Sequence, residues 1–214
     1  MIVVVAGTGT DVGKTFVAAA VVRLLRDRGL GVAARKPVQS FEAGATGTDA
    51  ELLGAASGEN PDTVCPPHRW LPRAMAPPIA AQRLGLAPFT IRELAGELAA
   101  TERAVTLVES AGGVRSPIAA DGDTVDLVDA IRPELVVLVA DAGLGTINAV
   151  RLSLGALAPH RAVVFLNRFD PGNDVHVANV EWLRSREGFE VCTDIDALAS
   201  AVTDCLHRGG SLTR

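Results

Sequence analysis

Gly7-Thr8-Gly9-Thr10-Asp11-Val12-Gly13-Lys14-Thr15 stands between an apolar run, Ile2 to Ala6, and a helix-length segment, Gly13 to Arg28, with Gly29 placed to stop it. A strand, a glycine-rich turn and a helix in that order bring backbone N–H groups and the positive end of a helix dipole to one spot, which is a ready site for an anion. Lys14 adds a point charge that reaches phosphate, and the Thr15 hydroxyl is a hard oxygen donor suited to Mg²⁺. The strict spacing asks for glycine five residues before Gly13. Thr8 stands there, and Gly7 lies one residue earlier.

This order of elements resembles a P-loop, with Gly9, Thr10, Asp11, Val12, Gly13, Lys14, Thr15 and Phe16 as the nucleotide-binding stretch. Outward from it, apolar strand-length runs recur at Val32 to Arg35, Ala104 to Glu109, Leu135 to Ala140 and Ala162 to Leu166, with a late edge strand over Phe189 to Thr193. Helix-length segments fill Ile91 to Thr101, Ile147 to Ala158, Asn173 to Arg186 and Ile195 to His207. Near-continuous Val/Leu strands alternating with helices predict an α/β, P-loop NTPase-like fold, a mostly parallel sheet with helices on both faces. The whole chain, 1–214, reads as one domain. Ala43 to Pro88 holds seven of the 12 prolines and reads as a loop-rich excursion over the site.

Ligands in such sheets bind at the carboxyl ends of the strands. Lys36 follows the second strand, and Lys14 and Lys36 are the only lysines in the chain. That placement points Lys36 at the phosphate site, the alternative being a solvated surface lysine. Glu109 ends the third strand ahead of Ser110, Ala111, Gly112 and Gly113, where small residues let backbone N–H groups face an anion. Thr15, Asp49 and Glu109 together meet the needs of Mg²⁺, which takes few protein oxygens and completes its shell with phosphate and water. Each carboxylate also has a plainer reading: Asp49 as a helix N-terminal acid after Thr48, and Glu109 as the capped end of a strand.

With 48% hydrophobic and 21% charged residues, the 214-residue chain is neither disordered nor collagen-like. A net charge of −5 and 4% aromatic residues argue against nucleic-acid binding. Cys65, Cys192 and Cys205 form no CxxC and read as free thiols of a cytoplasmic protein. The four histidines show no zinc spacing. No uncharged apolar run approaches membrane-spanning length, and the N-terminus lacks the basic region of a signal peptide.

Four segments together resemble the dethiobiotin synthetase family: the loop Gly7 to Thr15, Lys36-Pro37-Val38, Val108-Glu109-Ser110-Ala111-Gly112-Gly113, and Leu144-Gly145-Thr146-Ile147-Asn148. The likeness runs from Met1 to about Pro171. It implies a homodimeric enzyme that joins CO₂ to 7,8-diaminononanoate with ATP and Mg²⁺ and closes a ureido ring. It implies that Lys14, Lys36 and Thr10 carry catalysis, the lysines neutralising phosphates and a carbamate. Thr15, Asp49 and Glu109 would hold Mg²⁺, and Ser40, Gly112 and Gly113 would meet substrate or phosphate. Gly145, Thr146, Ile147 and Asn148 would take the substrate carboxylate from the other subunit, and Asn167 would read adenine.

The chain departs from the family pattern at three places. Ser110 replaces a usual glycine, Arg115-Ser116-Pro117 replaces a stretch that is often apolar or aromatic, and Val191 to Asp194 lacks a Gly-x-x-Pro. Two alternatives share the loop: a regulatory or partitioning ATPase of the ParA/MinD type, and a nucleotide-binding homologue without synthetase activity. The helix from Asn148 has small and apolar residues able to pack on a twin, or on its own sheet.

Overall fold

A computed structural model describes residues 1–98 and 101–210 of the chain. In chain order the elements are β1 (Ile2–Gly7), α1 (Lys14–Asp27), β2 (Val32–Arg35), β3 (Gln39–Ser40), α2 (Asp49–Ser57), α3 (Pro61–Val64), β4 (Trp70–Leu71), α4 (Pro77–Arg83) and α5 (Ile91–Glu97). There follow β5 (Val105–Glu109), β6 (Pro117–Ala119), β7 (Gly122–Asp123), α6 (Thr124–Ile131), β8 (Leu135–Asp141), α7 (Thr146–Leu157), β9 (Ala162–Asn167), α8 (Asp174–Ser185), β10 (Val191–Cys192) and α9 (Ile195–Gly210).

Six strands form one parallel sheet in the order β10-β9-β8-β1-β5-β2. Successive side chains point to opposite faces. Val3 and Val5 of β1 therefore join the core with Val17, Val21 and Leu25 of α1, while Val4 and Ala6 join the core with Val150 and Leu157 of α7. β8 divides the same way, Val137 and Val139 against Val136 and Leu138. Burial on both faces explains why these strands are continuous apolar runs. β1 is central, so its carboxyl end, where the glycine-rich loop begins, lies between the ends of β5 and β8.

The helix expected over Ile91 to Thr101 ends at Glu97, where Leu98 leaves helical backbone; residues 99–100 lie outside the described part. The late edge strand shortens to Val191–Cys192. Helix α6 was not expected. Its signal is Asp123, which accepts from Val125 and Asp126 and forms a capping box ahead of buried Val125, Leu127 and Val128.

The proline-rich excursion carries more helix than its composition suggests. Pro61 and Pro77 occupy the first helical turns of α3 and α4, where a missing N–H costs nothing. A third core of Val38, Leu71, Phe89, Leu94, Ile118 and Leu127 anchors the excursion beside the sheet. All three cysteines are free and buried, and burial pushes the Cys65 thiol up to about 12 and the Cys192 thiol up to about 11. No described helix is long and apolar enough to cross a membrane.

Candidate active site

Gly13 caps α1 in left-handed backbone, φ 92°, and the loop ahead of it folds around Lys14, whose Nζ donates to the Gly9 carbonyl at 2.9 Å. The displaced glycine of the loop has a local cause. A Cβ on Gly7 would lie 2.9 Å from Lys14 Cδ and 3.1 Å from the Gly9 carbonyl oxygen, so the crowded position is 7, not 8. The turn after β5 packs on the same loop: Val114 N–H donates to the Gly7 carbonyl at 3.1 Å, and Gly113 lies against Thr8 and Gly9.

The ends of α1, β2, α2 and β5 converge on one charge cluster. Lys36 Nζ lies 2.6 Å from Asp49 Oδ2 and 2.7 Å from Glu109 Oε1, and donates to the Ser110 carbonyl at 3.1 Å. Thr15 Oγ1 is 2.8 Å from both Asp49 Oδ1 and Glu109 Oε1. Lys36 and Glu109 are fully buried. Burial favours the neutral amine of Lys36, but Glu109 and Asp49 outweigh it and hold the ammonium well above its ordinary range. Burial raises Asp49 as well, and Lys36 outweighs that to hold the carboxyl below its usual value. Glu109 is raised by burial, which the opposing charge of Lys36 does not cancel. Lys14 is lowered, by burial first and by Lys36 second.

Asp49 is set by its helix. Thr48 caps α2 in a capping box with Glu51, which fixes the first turn and presents the Asp49 carboxylate to Lys36 and Thr15. Glu109 Oε2 is buried without a hydrogen-bond partner. Two carboxylates and a hydroxyl are the hard-oxygen set that Mg²⁺ takes alongside phosphate and water. No three His, Cys, Asp or Glu among the described residues form a protein-only metal cage. The donor set therefore fits a cation shared with a phosphorylated ligand.

A cavity of about 790 Å³ brings together Thr10, Asp11, Gly13, Lys14, Thr15, Lys36, Ser40, Asp49, Glu109 and Gly112. Gly9 and Val12 support the loop through their carbonyls. Gly113 directs its N–H to Ser116 Oγ at 3.1 Å, within its own turn. Phe16 is 66% exposed and outside the lining. Asn167, at the end of β9, stands behind Gly13 with its Nδ2 donating to the Val12 carbonyl at 2.9 Å. Gly145, Thr146, Ile147 and Asn148 open α7 at the end of β8, away from the cavity wall.

The cavity also contains residues that the sequence did not assign to the site: Gln39, Arg168, Ser116 and the stretch Ala74 to Pro77. Arg168 had a signal, since it follows Asn167 directly at a strand end.

Residues 2–201 match the family described as AAA domain. The chain is 38% identical over 192 residues to the ATP-dependent dethiobiotin synthetase BioD of Anaeromyxobacter dehalogenans, covering 86% of this chain and 85% of that protein. The chain belongs to the dethiobiotin synthetase family. A second member, the ATP-dependent dethiobiotin synthetase BioD of Chromohalobacter salexigens, is 41% identical over 162 residues, 72% of this chain and 67% of that one. The dethiobiotin synthetases are ATP-dependent cyclo-ligases, and this chain is an enzyme of that class.

Solved structures agree on the fold. A plasmid partition protein from Borrelia burgdorferi superimposes with a TM-score of 0.59 at 10% identity, over 95% of this chain and 97% of that one. The signal recognition particle receptor FtsY of Elizabethkingia anophelis gives 0.56 at 13% identity, over 96% of this chain and 64% of that one. At such identities the partitioning and targeting proteins share the architecture alone, and the family resemblance read from the four segments is the one the relatives bear out.

Proposed function

We propose that the protein is a Mg²⁺-dependent dethiobiotin synthetase that carboxylates 7,8-diaminononanoate with CO₂, phosphorylates the carbamate with ATP and closes the ureido ring. The observation that carries this reading is the cluster of Lys36, Asp49, Glu109 and Thr15 in one cavity with the P-loop Lys14. In the first step an amine nitrogen attacks CO₂, a C–N bond forms and one proton leaves. A carbamate oxygen then attacks the γ-phosphorus, and the bond to the bridging oxygen breaks to release ADP. The second amine attacks the carbamoyl carbon and gives up a proton, and phosphate departs with the oxygen that attacked it.

Both partners of the middle step are anionic, so positioning and charge neutralisation carry the barrier. Lys36, held protonated by its two carboxylates, faces the carbamate, and Lys14 with the loop N–H groups faces the phosphates. Thr10, Ser40 and Gly112 border the same space and bind substrate or phosphate. Thr15, Asp49 and Glu109 would hold Mg²⁺, which when bound supplies neutralising charge to phosphate oxygens.

Asn167 supports adenine as the base. Its Nδ2 faces the Val12 carbonyl, because an oxygen there would oppose an acceptor. Oδ1 is then left to accept from an exocyclic amine, which adenine has and guanine lacks at the corresponding position.

The functional unit is a cytoplasmic homodimer of one-domain protomers, acting on small molecules and not on nucleic acid or membrane. Leu144, 96% exposed in the turn ahead of α7, and Leu152, 68% exposed on α7, leave apolar surface open there. The Gly145–Asn148 turn lies off its own cavity, which suits a carboxylate site completed across a two-fold interface. Purified protein given diamine, bicarbonate, Mg²⁺ and ATP should release phosphate and cyclic urea in equal amounts. ATP hydrolysis without urea would overturn the reading.

A further inference from the structure

Gln39 lies on β3, three residues beyond Lys36, and is 2% exposed. Its Oε1 accepts the Ala50 N–H at 3.0 Å, in the first turn of α2 and next to Asp49. That bond decides the orientation of the amide, because turned over it would set an NH₂ group against an N–H donor. The Nε2 group is then buried without any acceptor from the protein. Such an orphaned donor is costly to bury, and native proteins rarely leave one without a use. Gln39 lines the main cavity and also a smaller one of about 160 Å³ bounded by residues 45–49. Its neighbour through Ala50, Asp49, holds Lys36 Nζ at 2.6 Å. The unused donor thus belongs to a residue that lines the same cavity as Lys36.

We propose that Gln39 is a specificity-determining residue whose Nε2 donates to an oxygen of the substrate carbamate, beside Lys36. The proposal rests on the synthetase reading above and adds to it. An ammonium group that has not been carboxylated presents only donors and leaves Nε2 unsatisfied, whereas a carbamate brings the acceptor it lacks. Gln39 therefore favours the carboxylated form of the substrate in an equilibrium that CO₂ alone does not hold.

The test compares Gln39→Leu with Gln39→Glu, measuring urea formation against bicarbonate, Mg²⁺ half-saturation and thermal melting. Gln39→Leu should raise the bicarbonate needed for half-maximal rate about tenfold, the effect of one lost hydrogen bond to a charged group, beyond any change in the Mg²⁺ requirement that follows from losing the Ala50 bond. Gln39→Glu keeps an acceptor for Ala50 but sets an oxygen against the carbamate, so it should fall further than Gln39→Leu. A residue that merely anchors α2 predicts the reverse order, and that result overturns the proposal. So does an unchanged bicarbonate dependence in Gln39→Leu, or in Gln39→Glu should the leucine variant not fold. Wild-type protein that makes no cyclic urea defeats the synthetase reading itself, and the carbamate assignment with it, before any variant is compared.

Discussion

Arg168 Nη2 donates to the backbone carbonyl of Asp11 at 2.9 Å, and both residues hold left-handed backbone, φ 58° and φ 60°. The other end of the guanidinium meets Asp141 Oδ2 at 2.8 Å. Left-handed backbone at a non-glycine residue costs about 1–3 kcal/mol and persists only where its surroundings hold it. Here a side chain from the end of β9 holds the turn of the phosphate loop. Arg168→Ala should therefore raise the KM for ATP about tenfold while kcat at saturating ATP stays within about twofold, the pattern of lost uniform binding. An ATP titration indistinguishable from wild type would show that the loop keeps its turn unaided.

Lys14→Ala and Lys36→Ala should each lower turnover at least about a hundredfold, since the proposed mechanism asks each for a few kcal/mol of charge stabilisation in the transition state. Lys36→Ala should also destabilise the fold, because it leaves Glu109, fully buried, and Asp49 without their shared counter-charge. Steady-state rates and melting curves separate the two effects. A Lys36→Ala protein of wild-type activity would remove that lysine from the reaction.

Leu152→Asp should convert the proposed dimer to a monomer in light scattering, with loss of turnover if the interface completes the carboxylate site. The side chain is 68% exposed on α7, and a charge there has no cost in an isolated protomer. Unchanged mass and rate would place the twofold contact elsewhere.

Acid should weaken the fold at Glu59. Its carboxylate accepts from Ala34 N–H at 2.8 Å and pairs with Arg35 Nη1 at 2.8 Å, covering the outer edge of β2. Burial raises the group, and the bonds from Arg35 and Ala34 outweigh it, so the folded value sits below the ordinary 4.5. A depressed value contributes stability above the unfolded value and loses it as pH falls through the folded one. Glu59→Gln should be less stable than wild type by about 1–2 kcal/mol at pH 7, with the gap closing below pH ~4.5. A gap constant with pH in denaturant titrations would mean that the charge is irrelevant there.

The sheet was legible because its strands are buried on both faces, so hydrophobicity alone marks them. Lys36 and Glu109 were legible for a related reason: each is a charged residue at the end of an apolar run, where a strand leaves the core and meets ligand. Helix α6 was missed because eight residues with one capping box resemble a turn. The contacts that distinguish Gln39 and Arg168 were beyond reach for another reason, although the place of Arg168 at a strand end was a signal. What distinguishes Gln39 is which of its atoms lacks a partner, and what distinguishes Arg168 is a backbone angle and a bond across 157 residues. Neither property exists until the chain has closed on itself.

Asn167 and Gly13 are in direct contact: a Cβ at position 13 would collide with Asn167 Nδ2, which already bonds the Val12 carbonyl. Under the adenine reading proposed for Asn167, the choice of nucleotide is locked against stepwise drift. An Asn167→Asp exchange, the simplest route toward accepting a donor-bearing guanine edge, would set a carboxylate oxygen against that carbonyl and slacken the phosphate loop in the same stroke. A descendant of this enzyme could change its fuel only by rebuilding loop and base pocket together, so its preference among nucleotides is inherited with the loop.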